Sequence, residues 1–169
     1  VAMIEGRELA ATRAATEAGA GTCVGWPVAP NEVRIIGISD AAIPEWSDDL
    51  CLPTGEVGEI TVVGPTVTDT YFNRDAQTRL AKIREVLPTS AASASAAERI
   101  VHRMGDVGYL DADGRLWFCG RKSHRVETVD GPLYTEQLEP VFNTHPGVQR
   151  TALVGIGEPG AHAPVLCVE

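Results

Sequence analysis

The chain has 169 residues, of which 44% are hydrophobic and 22% charged, enough to bury a core and too apolar for a wholly disordered polymer. Its 14 basic and 23 acidic side chains give a formal charge of −9, which argues against a nucleic-acid partner because such a balance repels a phosphate polyanion. No signal-like segment or long apolar run predicts a membrane span, and Cys23, Cys51, Cys119 and Cys167 lack zinc-site spacing, so they read as buried thiols in a reducing cytoplasm.

Residues 1–20 show no clean helical or strand period and read as an irregular connection with room for one short helix. NEVRIIGI (31–38) and GEITVVG (58–64) are β-branched runs bounded by turn formers, which predicts two strands joined by an acidic loop. NRDAQTRLAKIREVL (73–87) spaces Ala76, Leu80, Ile83 and Leu87 at helical intervals behind Asn73, a possible cap, and predicts a surface helix. The small, polar stretch PTSAASASAAER (88–99) has no apolar period and reads as a mobile loop.

HRMGDVGYLDADGRLWFCGRKSHRV, from His102 to Val126, contains a β-hairpin whose arms are VGYL and RLWFCG. Its turn is DADG, where Gly114 supplies the positive φ that such turns need. HRVETV (124–129) predicts another strand, TEQLEPVFNTH (135–145) a helix opened by Thr135, and VQRTALVGI (148–156) a strand that re-enters a core. GEPGAH reads as a turn. Strand, helix and strand after residue 121 make a small unit with its own beginning, so the fold class is α+β with a boundary at Gly120-Arg121-Lys122-Ser123.

Asp106 follows Gly105 at the entrance to the hairpin. A short carboxylate on a constrained turn can accept hydrogen bonds from two neighbouring hydroxyls, as acidic residues do for a ribose diol; it can equally cap its own turn by bonding a backbone amide two residues on. Arg121, at the far end of the hairpin, suits a phosphate or ribose oxygen, or a surface ion pair. The chain has no GxSxG, HExxH, EF-hand, GxGxxG or GxxxxGK[ST] signature, and His102, His124, His145 and His162 lack metal-ligand spacing. No general base, catalytic residue or metal ligand is assigned.

Read in series, the motifs resemble the adenylate-forming superfamily of acyl-CoA synthetases, luciferase-like enzymes and peptide-synthetase adenylation domains. GTCVGWPVAPNEVRII is similar to a G-x-x-G-x-P strand entry, and PTGEVGEITVVGPTVTDTYFNRDAQT to G-E-x-G-E-I-x-V-x-G-P…Y-x-N-x-x-x-x-T. HRMGDVGYLDADGRLWFCGR resembles R-T-G-D…D-x-D-G-x-L-x-x-x-G-R, and NTHPGVQRTALVGI resembles H-P-x-V-x-x-A-A-V-x-G.

The resemblance implies that Asp106 binds the ribose hydroxyls of ATP and AMP, that Arg121 and Phe118 lie beside the same nucleotide, that Ser123 is a hinge, and that Gly131 belongs to a loop of a rotating lid. It divides the chain into a β-rich part of a large domain (1–121) and an incomplete C-terminal lid (122–169). The implied reaction joins a carboxylate to the α-phosphorus of MgATP, releasing pyrophosphate; a nucleophile then takes the acyl group and AMP leaves. The superfamily's phosphate loop, aromatic-Gly-x-Thr-Glu motif and late catalytic lysine are missing, and AATEAGAG (14–21) only imitates the Thr-Glu motif, so the chain reads as a C-terminal-side fragment that needs the rest of its enzyme.

Several residues depart from the common pattern: Met104 replaces a Thr, His124 and Arg125 follow the hinge, Thr128 takes a usual Lys position, and GPLYTEQLE is a residue short. These put transfer to coenzyme A in doubt. LWFCGRKSHRVET looks most like the β-lactone synthetases of bacterial olefin biosynthesis, where a β-hydroxy fatty acid is activated and closed by its own hydroxyl. A fatty acyl-CoA ligase, an inactive remnant serving as a binding module, and a peptide-synthetase domain remain as alternatives.

Overall fold

The computed structural model describes residues 1–87 and 97–169. In chain order its elements are β1 (Ala2–Met3), α1 (Gly6–Glu17), β2 (Thr22–Pro27), β3 (Glu32–Ile36), β4 (Gly58–Val63), α2 (Asp75–Ala81), β5 (Lys82–Val86), β6 (Glu98–Leu110) and β7 (Leu116–Arg121). They continue with β8 (Val126–Thr128), β9 (Gly131–Leu133), α3 (Thr135–Phe142), β10 (Thr151–Ile156) and β11 (Ala163–Val168). The α+β reading holds. A seven-stranded sheet runs β1-β2-β7-β6-β4-β3 with β5 also on β6, and β8-β9 and β10-β11 form separate two-stranded sheets.

The long strand β6 organises the sheet, with β4 along one edge and β5 followed by β7 along the other, all antiparallel. Flanked on both edges, β4 is buried at every position. Ile60 and Val62 join Val33, Ile35 and Leu116 in one cluster, whereas Val63 joins Ile36, Ile83 and Val101 in another. Each fully buried side chain of this kind contributes roughly 1.5–3 kcal/mol. A third cluster of Val107, Cys119 and Tyr134 fastens the entry of α3 to β6 and β7.

Several local expectations change. The helix read over 73–87 ends at Ala81, because Lys82–Val86 pairs with the start of β6 and Ile83 becomes wholly buried between Ile36 and Val101. Strand pairing and burial override a local helical period there. Asn73 is not the cap; it takes a left-handed φ of 52° and Arg74 precedes the helix. Of the loop read over 88–99, Glu98 and Arg99 belong to β6, and residues 88–96 lie outside the described residues.

Residues 1–20 are more regular than their pattern suggests: α1 has twelve residues with only Thr12 buried, and rests against β2 and α3. Its weak period reflects that shallow contact. Thr135 is the first helical residue of α3 rather than its cap, which is Tyr134. Cys23 and Cys119 are buried as expected, but Cys51 and Cys167 are exposed, since both lie at the margins of their sheets. The GEPGAH turn joins β10 to β11 with Gly157 and Gly160 at positive φ. No described helix is long and apolar enough to cross a membrane.

Candidate functional site

The DADG hairpin is built as its sequence requires. Asp111 Oδ1 accepts the backbone N–H of Asp113 (3.0 Å) and of Arg115 (2.9 Å), its Oδ2 accepts from Trp117 Nε1 at 2.8 Å, and Gly114 takes a φ of 79°. This self-contained turn fixes the register of β6 on β7 as far as Gly108 opposite Phe118; a β-bulge beyond that point shifts the pairing by one residue, and the shift is what places Arg121, rather than Gly120, opposite Asp106. Arg121 Nη1 lies 2.7 Å from Asp106 Oδ1, with the guanidinium side chain 59% exposed and the carboxylate 17% exposed.

That contact is close but poorly directed: Asp106 Oδ1 is buried and accepts no hydrogen bond among the described residues. Among the described residues no backbone amide caps it either, so the turn-capping alternative is not seen there. Burial pushes the Asp106 carboxyl above its usual range, against the opposing attraction of Arg121. A buried oxygen with an unfilled acceptor site beside an exposed cation suits a neutral polar ligand whose hydroxyls supply the missing donors.

Phe118 sits on β7 opposite Gly108, two residues along β6 from Asp106, and packs its half-buried ring against the cluster around Ile60 and Leu116. Ser123 occupies the middle of a single 3-10 turn, Lys122–His124, immediately after β7. Gly131 stands elsewhere: it opens β9 and lines a cleft with Ile38, Asp40, Arg125 and Glu127. The fold therefore brings Asp106 and Arg121 together, keeps Phe118 on the same hairpin, and leaves Gly131 apart. A second cleft of 650 Å³, bordered by Tyr71, Phe72, Leu80, Met104 and Gly105, reaches the residue before Asp106.

Sequence reasoning missed a buried charge cluster behind this pair. Glu59 on β4 is 1% exposed and Arg103 on β6 is 3% exposed. Arg103 Nη2 donates to Glu59 Oε2 at 2.7 Å and to Ser39 O, and Nη1 donates to Ala41 O (2.8 Å) and Leu80 O (2.9 Å). Lys122 Nζ reaches the other Glu59 oxygen at 3.2 Å. The available signal was the alternation in GEITVV, which puts Glu59 on the same strand face as Thr61 and Val63.

No protein-family model matches the chain. Over all 169 residues it is 73% identical to the olefin beta-lactone synthetase of Xanthomonas campestris pv. campestris and 69% identical to that of Stenotrophomonas maltophilia. The chain belongs to the adenylate-forming superfamily. It spans 29% and 30% of the length of those two relatives.

Solved structures of the superfamily share the fold. The amide bond synthetase McbA from Marinactinospora thermotolerans superposes with a TM-score of 0.62 at 27% identity, over 86% of this chain and 25% of that one. The O-succinylbenzoate coenzyme A synthetase of Bacillus subtilis, in complex with ATP and magnesium ion, gives 0.61 at 25% identity over the same shares.

Proposed function

We propose that this chain is part of an ATP-dependent, AMP-forming enzyme that activates a carboxylic acid, and that its acid is a long-chain β-hydroxy acid closed to a β-lactone through an acyl adenylate. The observation that carries the reading is the 73% identity with an olefin beta-lactone synthetase along the whole chain. A fatty acyl-CoA ligase is the second reading, favoured by the fold shared with a coenzyme A synthetase. The enzyme would work in the cytoplasm.

In this reading the ribose 2′ and 3′ hydroxyls of ATP donate to Asp106, filling the acceptor site of its buried oxygen. Arg121 turns its exposed guanidinium to the same nucleotide, and Phe118 borders the adenosine. These residues bind and orient; they transfer no proton. Mg²⁺ accompanies the ATP phosphates, and we assign it no ligand on this chain. Residues 1–121 would belong to the large domain and 122–169 to the lid, with Ser123 as hinge and Gly131 in the lid loop.

The test uses the enzyme that carries this chain. With a long-chain 3-hydroxy acid it should exchange labelled pyrophosphate into ATP, and Asp106→Ala should raise the KM for ATP at least tenfold or abolish exchange. Mass spectrometry without coenzyme A should then find a cyclic ester. A thioester formed only with added coenzyme A would select the second reading, and absence of exchange with any carboxylic acid would defeat both.

A further inference from the structure

Two buried or half-buried cations converge on one carboxylate behind the Asp106–Arg121 pair. Glu59 is paired with Val107, the residue after Asp106, across the β4–β6 ladder. Arg103, three residues before Asp106, neutralises Glu59 through a 2.7 Å ion pair. Lys122, the residue after Arg121, adds a second positive charge, donating to Glu59 Oε1 at 3.2 Å and to Ser39 O at 2.9 Å.

One guanidinium is enough to compensate one buried carboxylate, so the burial of Glu59 does not itself require the lysine. What the lysine adds is a fixed end for β7. Arg121 has Asp106 as its one ion-pair partner among the described residues and a mostly exposed side chain, so its guanidinium stands where its backbone puts it. That backbone is held on the C-terminal side by Lys122, and the Lys122 carbonyl in turn accepts from Arg125 Nη1 at 2.8 Å, while Arg125 Nη2 pairs with Asp40. The short segment 39–41 thus receives Arg103, Lys122 and Arg125, from either side of the hairpin.

We propose that Lys122 is a positioning residue for the nucleotide site: by anchoring the end of β7 on Glu59 and Ser39, it sets the distance and direction of Arg121 relative to Asp106. The inference rests on the reading of Asp106 and Arg121 as that site, and its test has one arm that depends on that reading and one that does not. Arg121 is the cation paired with Asp106, so loosening Lys122 reaches Asp106 through Arg121.

The first arm follows the selectively labelled Asp106 carboxyl by carbon-detected NMR through a pH titration of the enzyme that carries this chain. In Lys122→Met, which keeps the aliphatic stem and removes the ammonium, the carboxyl should titrate at a higher pH than in wild type. In Lys122→Arg, which restores a donor to Glu59 and Ser39, it should return to the wild-type value. The second arm measures pyrophosphate exchange in the enzyme carrying the chain. There Lys122→Met should raise the KM for ATP three- to tenfold while kcat stays within twofold, and Lys122→Arg should recover the KM.

An unchanged Asp106 titration in Lys122→Met overturns the proposal whatever the enzyme does, and so does an equal effect of both substitutions. A shifted titration with no exchange in the wild-type enzyme leaves the positioning role standing and removes the functional reading instead.

Discussion

Asp106 and Arg121 face one another across β6 and β7 at 2.7 Å, yet the buried Asp106 Oδ1 receives no directed hydrogen bond from the guanidinium. The pair is close in space and unfinished in bonding. Burial raises the folded-state pKa of this carboxyl above its unfolded value, so the folded protein holds the proton more tightly than the unfolded chain does. The associated stability is fully present below the ordinary carboxylate range and is lost as pH rises through the folded pKa. At neutral pH the ionised carboxylate is therefore a cost.

Asp106→Asn removes that cost. Its melting temperature at pH 7 should exceed that of wild type, and the gain should vanish near pH 3. Calorimetry at the two pH values checks both halves. A residue whose replacement stabilises the protein while impairing ATP use is the signature of a site kept for binding rather than for folding.

Gly120 lies between Cys119 and Arg121 with φ at 135°, and a Cβ there would come within 2.5 Å of Thr135 Oγ1 on α3. Gly120→Ala meets both a backbone penalty and a clash, for a total of about 2–3 kcal/mol. Adding Thr135→Ala removes the clash alone and should recover about half of the loss. Urea denaturation of the single and double variants measures this; full recovery would mean that the backbone conformation costs nothing.

The sequence was most readable where structure is local. DADG specifies its own turn through Asp111 and Gly114, and that turn sets the pairing from Leu110–Leu116 to Gly108–Phe118; the one-residue bulge beyond it, which brings Arg121 opposite Asp106, had no signal in the sequence. Lys82–Val86 was unreadable for the opposite reason: Leu80, Ile83 and Leu87 fit a helix, and only pairing with Glu98–His102, across residues with no pattern of their own, decides for a strand. The cluster of Glu59, Arg103 and Lys122 joins β4, β6 and the end of β7, and no spacing rule links charges so far apart in sequence. The candidate site was visible as two residues; the support that holds them was not.

The four cysteines should divide by reactivity. Cys23 and Cys119 are buried, and burial, with a smaller effect of Glu136, pushes the Cys119 thiol up to about 12. Cys51 and Cys167 are exposed. Burial raises the Cys51 thiol as well, though it remains accessible. Because the thiolate is the reactive species, a disulfide reagent at pH 8 should modify Cys51 only slowly, modify Cys167 in the folded protein, and reach Cys23 and Cys119 only after unfolding. Mass spectrometry of the labelled chain distinguishes them; rapid labelling of Cys119 would contradict its burial.

Glu85 decides how β5 is held. Its carboxylate accepts from Arg99 Nε at 2.6 Å and from Arg34 Nη1 at 3.0 Å, with only a tenth of its side chain exposed. Burial alone would raise its pKa, but the hydrogen bonds from Arg99 and Arg34 outweigh burial and leave it below the ordinary value. A depressed folded pKa means stability that is present above the unfolded value and disappears as pH falls through the folded one. Glu85→Gln should therefore cost about 1 kcal/mol at pH 7, where Arg34 keeps its two-point pair with Glu32 but loses its second carboxylate and Arg99 is weakened, and much less at pH 3. Hydrogen exchange should place the loss in β5 and the first residues of β6, since the Arg34–Glu85–Arg99 bridge ties those strands to β3. A penalty equal at both pH values would show that Glu85 acts through packing instead of charge.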